Sequence, residues 1–423
     1  MINYNFENCI DNFNAQAQCI LSLKIPNWDS KDFKDVIDLK NQIIENKVNH
    51  DDFNFAGANL LNLKLFDRTI NGDLNLDNSV ILGDVILKGC EIKGEVNLDY
   101  AKIGGELLIV EESKIKKIHM YRICINDRVL INNSKIGSFF ADGYYKNYNF
   151  TFYQNRWNRL FSRVKNYILS LFNKDFNVLK EDYMVKNGFD IVNSKVGIIS
   201  VDRLNIGEPD RNGIFMDLVD VSTYVSFINC DIKGNVWLRR VTVEWDCDFS
   251  YSRIKSDFIF ELSKVKGKLD FNRVIFNYPY AQRNASREAK RVWDKLGDKD
   301  KKDKYYFNER DAVRKTRGMP CQYIEWFFIQ FPFGYGVKWY RVIVTFIFFI
   351  FLFAFIFWLG NGIQGADSFN SNLYASALTA LTPGFGDFKP ANSNYQLVAS
   401  TEAILGAFLW SVSIVIFAGK FIK

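Results

Sequence analysis

The one short segment of this chain whose residue types suggest a binding chemistry is Thr382-Pro383-Gly384-Phe385-Gly386-Asp387. Gly384 and Gly386 permit an alternating backbone that points successive carbonyl groups at one axis, an arrangement that binds a cation stripped of water. Conventional catalytic chemistry has little to work with. His50 and His119 are the only histidines, the seven cysteines show no CxxC spacing, and no nucleophile, base or metal cluster has recognisable spacing. The sequence therefore predicts neither an enzyme nor an organic cofactor. Glu402 is the one acid inside a long apolar run, and carboxylates at membrane depth are costly enough to be functional by default.

The elements around these residues are legible from hydropathy. Val342 to Leu359 is an apolar run interrupted only by Thr345, just long enough to span a hydrocarbon core. Residues 372–381 read as a short apolar helix, and 396–418 as a second long one. Trp339, Tyr340 and Trp358 flank the first run at interfacial level. Lys338, Arg341, Lys420 and Lys423 lie beyond the far ends of the two runs, whereas the intervening stretch carries only Asp367, Asp387 and Lys389. That charge bias predicts a multi-pass protein of the cell membrane with both termini in the cytoplasm. Met1 to Asn12 does not read as a secretory signal.

The order helix, short helix, TPGFGD, helix resembles the two-transmembrane potassium-channel family over about Trp339 to Lys423, with TPGFGD in place of the family's TVGYGD. The resemblance implies a homotetramer in the lipid bilayer, since four loops surround one ion. It implies a selectivity filter of Thr382, Pro383, Gly384, Phe385 and Gly386. K+, the permeant ion, would be held by the backbone carbonyls of Thr382, Pro383, Gly384 and Phe385. Asp387 matches the family's bracing aspartate, Thr379 in the matching short helix is a further expected support of the filter, and Gly406 falls at the family's hinge glycine. The alternative reading of Gly406 is close helix packing. Glu402, counted from Gly406, reads as a brace on the short helix, with a role as an ion ligand as the alternative. Three departures stand out: Pro383 replaces Val or Ile and lacks an amide, Phe385 replaces Tyr, and Leu381 replaces Thr. They keep a weakly selective or non-selective cation pore open as the alternative, and a membrane-anchored scaffold as the alternative of another class.

The rest of the chain is governed by repetition. Gly72, Gly83, Gly94 and Gly105 are spaced by eleven, in units GDLNLDNSVIL, GDVILKGCEIK and GEVNLDYAKIG, and the frame returns from Asn212 through GKLDFNRVIF. Positions three and five are apolar, position eight is small and position ten is Val or Ile. Alternation gives short strands with one inward face, and such units must stack to bury enough surface. The glycine is expected to supply the turn. The small residue two before an inward Val or Ile resembles the pentapeptide-repeat family, which implies a right-handed parallel β-helix with about two units per coil. The fold class is thus a multidomain one, a β-helix solenoid joined to an α-helical two-transmembrane pore-loop module.

The expected segments are a helical or cap region over 1–50, repeats over 51–142 and 187–280, an insertion over 143–186, a charged helical connector with an interfacial stretch over 281–338, and the membrane module over 339–423. Within the insertion, Trp157, Leu160, Phe161, Val164, Ile168, Leu171 and Phe172 share one helical face, suited either to a membrane surface or to the solenoid flank. FGYG at 333–336 precedes both long helices and reads as a turn. The charge of +6 over 423 residues is modest, and the basic residues cluster beside apolar segments, which favours lipid head groups over nucleic acid. The cysteines are expected as free buried thiols. A cytoplasmic ligand or protein acting on the β-helix is the expected further partner.

Overall fold

The computed structural model describes residues 13–26, 32–143, 184–209, 211–381 and 388–421. It divides into two compact units, 1–298 and 299–423. The amphipathic helix expected over 156–174 lies outside the described residues.

The first unit is a β-solenoid of about eight turns built from parallel ladders. Coil-to-coil partners in the regular stretches lie 22 residues apart, so two eleven-residue units make one coil. The inward positions are the expected ones. Leu74, Leu76, Val85, Leu87, Val96 and Leu98 are fully enclosed, and so are Ser79, Cys90 and Ala101 at position eight. Toward the C-terminal end the core becomes aromatic. Phe227, Phe249 and Phe271 stack on successive coils with ring centroids 5.5 and 5.4 Å apart.

The repeat glycines do a different job from the one expected of them. The left-handed corner of each unit falls six residues later, at Asn78, Gly89, Tyr100 and Glu111, and again every eleven residues from Leu218 to Arg273. Gly94 has an ordinary backbone. What it lacks is room: a Cβ there would fall on the Asp73 carboxylate and come within 2.6 Å of the Gly72 carbonyl carbon. The Asp or Asn at position two explains the crowding. Asn62 Oδ1 accepts from the Asp84 amide at 2.8 Å, Asp73 Oδ1 from Glu95 at 2.7 Å and Asp84 Oδ1 from Glu106 at 2.9 Å. Each side chain thus satisfies a backbone donor one coil further on, just after the glycine.

Both ends of the solenoid are covered. Helices Phe13–Ser22 and Phe33–Asn49 lie over the first coil, pinned by Lys40, which is 1% exposed. Its ammonium donates to the carbonyls of Leu21, Leu23 and Asn59 at 2.8, 2.7 and 2.8 Å, using all three of its protons. At the other end Pro279–Lys295 buries Ala281, Ala285, Ala289 and Trp293 along one stripe. Trp293 Nε1 donates to the Leu269 carbonyl at 2.8 Å. The stretch expected as one connector is therefore divided: its first helix closes the solenoid, and its remainder belongs to the second unit.

The second unit begins with helix Lys299–Lys315, then Met319–Glu325, a wide π turn over Trp326–Gln330 and a tight turn over Gly334–Gly336. FGYG is thus a turn, as expected, with Gly334, Tyr335 and Gly336 all left-handed. Asp311 knits this region together. It accepts from Arg314 at 2.9 Å and from Gln330 at 2.9 Å, and pairs with Lys315 at 2.7 Å. Burial opposes its ionisation, but Lys315 and Arg314 outweigh it and hold the carboxyl below the usual aspartate range. Arg341, at the entry of the next helix, donates to the Gln330 carbonyl at 3.1 Å.

Two helices, Trp339–Leu359 and Ser393–Phe421, are long and apolar enough to cross a membrane. Between them lies the short helix Phe369–Leu381. All three begin three residues before the apolar runs do, because their first turns are aromatic or polar. Ser368 Oγ accepts from the Ser371 amide, and Asn392 Oδ1 from Tyr395, as side chains that open helices do.

Among the described residues the six cysteines are free, but only Cys90, Cys230 and Cys247 are buried, and Cys321 is exposed.

Candidate functional site

Residues Thr382, Pro383, Gly384, Phe385, Gly386 and Asp387, expected to form and brace the filter, lie outside the described residues. What is described is the frame on either side of them. The short helix has 13 residues, about 20 Å of rise, too little to cross a hydrocarbon core. It packs between the two long helices, and its last turn runs directly into Thr382. A helix presents its negative end there.

Two apolar clusters hold the short helix. At its middle, Ala375 meets Phe353, Phe357, Ile363 and Ala399, while toward its end Ala380 meets Phe346 and Leu409. Small residues on the short helix let the long ones approach. Gly406 shows how closely: a Cβ there would come within 2.6 Å of the Ala380 carbonyl oxygen and 2.7 Å of its Cα. The geometry at Gly406 is therefore that of close packing against the turn preceding residue 382.

Between the clusters sits one polar knot. Glu402 is fully buried, and its Oε1 is hydrogen-bonded to Ser376 Oγ on the short helix. Ser376 Oγ also lies 2.9 Å from the Ile350 carbonyl of the first long helix. Three helices thus meet at two side chains. A serine hydroxyl has one proton, so both contacts are hydrogen bonds at once only when the Glu402 carboxyl brings the second. Among the described residues Glu402 Oε2 has no hydrogen-bond partner. Thr379 is buried one turn after Ser376, but its Oγ1 donates to the Ala375 carbonyl of its own helix at 2.9 Å.

The segment before the short helix is fixed as well. Ile363–Gln364 pairs antiparallel with Lys389–Pro390, so the chain entering the short helix is tied to the chain leaving the 382–387 segment. Tyr395 lies against Gly360 and Gly362, where a Cβ at Gly360 would come within 2.7 Å of the tyrosine Cζ. Asn372, 1% exposed, donates to the carbonyls of Ala366 and Ser368 at 2.8 and 2.9 Å.

Ser376, Asn372 and Tyr395 were not singled out from the sequence. The available signal was polar residues within an otherwise apolar ten-residue helix, four apart at 372 and 376 and on one helical face. No group of three or more His, Cys, Asp or Glu able to hold a metal occurs among the described residues. No protein-family model, curated protein or solved structure matches the chain.

Proposed function

We propose that this chain is one subunit of a homotetrameric, potassium-selective channel of the cell membrane, conducting through Thr382 to Gly386 and gated or assembled by its solenoid. The observation that carries the reading is the short helix: too short to span a bilayer, it is wedged between two helices that are long enough, and it ends directly at TPGFGD. Irregular backbone at such a depth is tolerated only where it lines a cavity. Two spanning helices per chain cannot enclose a cavity alone, so several copies must. Large apolar side chains exposed along both long helices, such as Phe348, Leu397, Ile404 and Val415, are surfaces for lipid and neighbouring subunits.

In this reading Glu402 and Ser376 position the short helix behind the filter, and Gly406 admits the long helix to the same place. Asp387 braces the filter as its counterpart does in the resembling family. The solenoid and both termini lie in the cytoplasm, where a ligand or protein acts on the β-helix. The elbow from Lys299 to Lys338 carries the signal, since Asp311, Gln330 and Arg341 link it to the first long helix. A second reading, a weakly selective cation pore, is favoured by Pro383, which removes an amide from the filter's support. Ion flux through the reconstituted protein, measured under potassium and then sodium gradients, tests the first reading against the second.

A further inference from the structure

One outward column of the solenoid differs from the others. On the ladder that contains Leu63 and Val85, the outward residues stack in register from coil to coil, and six of the eight are large and apolar: Ile86, Leu108, Leu130, Phe215, Trp237 and Ile259. Trp237 is 38% exposed and the other five are partly exposed. The column around the corner is what a solvated face looks like, with Glu91, Lys114, Lys135, Lys195, Asp220, Thr242 and Lys264 in register. The column is about 34 Å long, seven steps of about 4.8 Å, and its apolar members span about 29 Å of it, which marks an interaction surface.

The two remaining members of the column are charged, and they indicate the partner. Asp190, in the middle, is turned sideways to Arg128 at 3.3 Å, and Arg128 is held in turn by Glu106 at 2.7 Å. Asp190 and Glu106 thus share one guanidinium within the sheet plane. Lys64 occupies the first rung, whereas Ile259 on the last rung is flanked along its strand by Asp257 and Glu261. The stripe therefore has a basic end and an acidic end.

We propose that this stripe pairs with the same stripe of a second copy of the chain, antiparallel, about a two-fold axis between the Leu130 and Asp190 rungs. An isologous contact of this kind brings Leu108 against Phe215 and Ile86 against Trp237, and sets Lys64 beside the partner rung of Asp257 and Glu261. Parallel pairing would instead set Lys64 against Lys64. A strip about 34 Å by 10 Å is well below the roughly 800 Å² per partner of a standard interface. The pair accordingly forms where copies are already held together, as they are when anchored to one membrane. In that respect the inference rests on the membrane reading, while the pairing chemistry does not.

The test uses the full chain in detergent and in liposomes, with the exposed Cys321 replaced by serine. Leu130→Cys lies beside the proposed axis, and Thr242→Cys on the polar column is the control. A short bis-maleimide is expected to link Leu130→Cys into dimers several-fold faster than the control. Lys64→Glu and Glu261→Lys are each expected to slow that reaction, and the double exchange to restore it, which a folding defect would not do. Three outcomes overturn the proposal. They are equal rates at the two positions, no rescue by the double exchange, or an intramolecular link from Leu130→Cys to Trp157→Cys, which would mean that the 144–183 segment covers the stripe. Flux is measured on the same samples, so loss of pairing with flux retained separates this inference from the channel reading.

Discussion

Ser376 on the short helix and Glu402 on the second long helix are hydrogen-bonded in the interior of the second unit, and Ser376 also reaches the Ile350 carbonyl of the first long helix. No other buried side chains among the described residues bring these three helices together at one polar point. Replacing Glu402 by alanine leaves Ser376 without its carboxyl partner and opens a cavity, at a cost of about 2–4 kcal/mol. Glu402→Gln can donate an amide proton to Ser376 and is expected to lie close to wild type. Thermal unfolding of the detergent-solubilised protein measures both, and equal losses for the two variants would contradict the assigned hydrogen bond.

Gly406→Leu tests the packing against Ala380. Any side chain there meets backbone within 2.6–3.0 Å, and backbone cannot move aside as a flexible side chain can. Overpacking is expected to destabilise by about 1–3 kcal/mol or more. Gly419→Leu, on the same helix with open space around it, is expected to be neutral. The comparison separates crowding from any effect of glycine on helix flexibility.

The two kinds of special position in the solenoid respond oppositely. Gly94→Ala forces a methyl group onto Asp73 and the Gly72 backbone, and is expected to destabilise the solenoid by more than 1 kcal/mol. Leu262 holds a left-handed corner with φ of 50° and is 86% exposed, so Leu262→Gly relieves strain and removes little packing. It is expected to be neutral or to stabilise by up to about 1 kcal/mol. Chemical denaturation followed by circular dichroism reads both, and a stabilising Gly94→Ala would overturn the assignment of its role.

Lys40 makes the N-terminal cap pH-dependent. Burial lowers its pKa from 10.5 to about 8. Between those values the unfolded chain binds more protons than the folded one, so stability rises as pH increases from about 8 to about 10.5. The rise is about 1–3 kcal/mol, reduced by the three carbonyl bonds that favour the charged form. Lys40→Met is expected to abolish this component, seen as a flatter difference in denaturation midpoint between pH 7.5 and pH 10. An identical pH dependence in wild type and variant would contradict it.

Much of this was legible in the chain. The eleven-residue period fixed the coil, and Leu74, Leu76, Ser79 and Ile81 all point inward as their places in the unit require. Alternation, however, reports only inside and outside. It does not register contacts between residues 22 apart, so Asp73 and Asp84 read as surface charges rather than caps of the next coil. The glycines read as turn residues for the same reason, since a missing Cβ and a positive φ leave the same letter in the sequence. Pro279–Lys295 is polar on average and looks like a linker until Ala281, Ala285, Ala289 and Trp293 are placed on one face. In the second unit hydropathy located the helices but began them late, because Ser368 and Asn392 belong to the helix starts and not to the apolar runs. Glu402 stood out as a lone charge, whereas its partner Ser376 is too ordinary a residue to be noticed alone.

Conduction is tested by cation flux through the purified full chain in liposomes under matched potassium and sodium gradients, with Gly386→Asp as the control. Potassium flux far exceeding sodium flux, and lost in Gly386→Asp, is the expected result. Flux equal for the two ions would contradict selectivity and leave a non-selective pore. No flux of either ion, both with the solenoid intact and after its deletion, would contradict the channel itself.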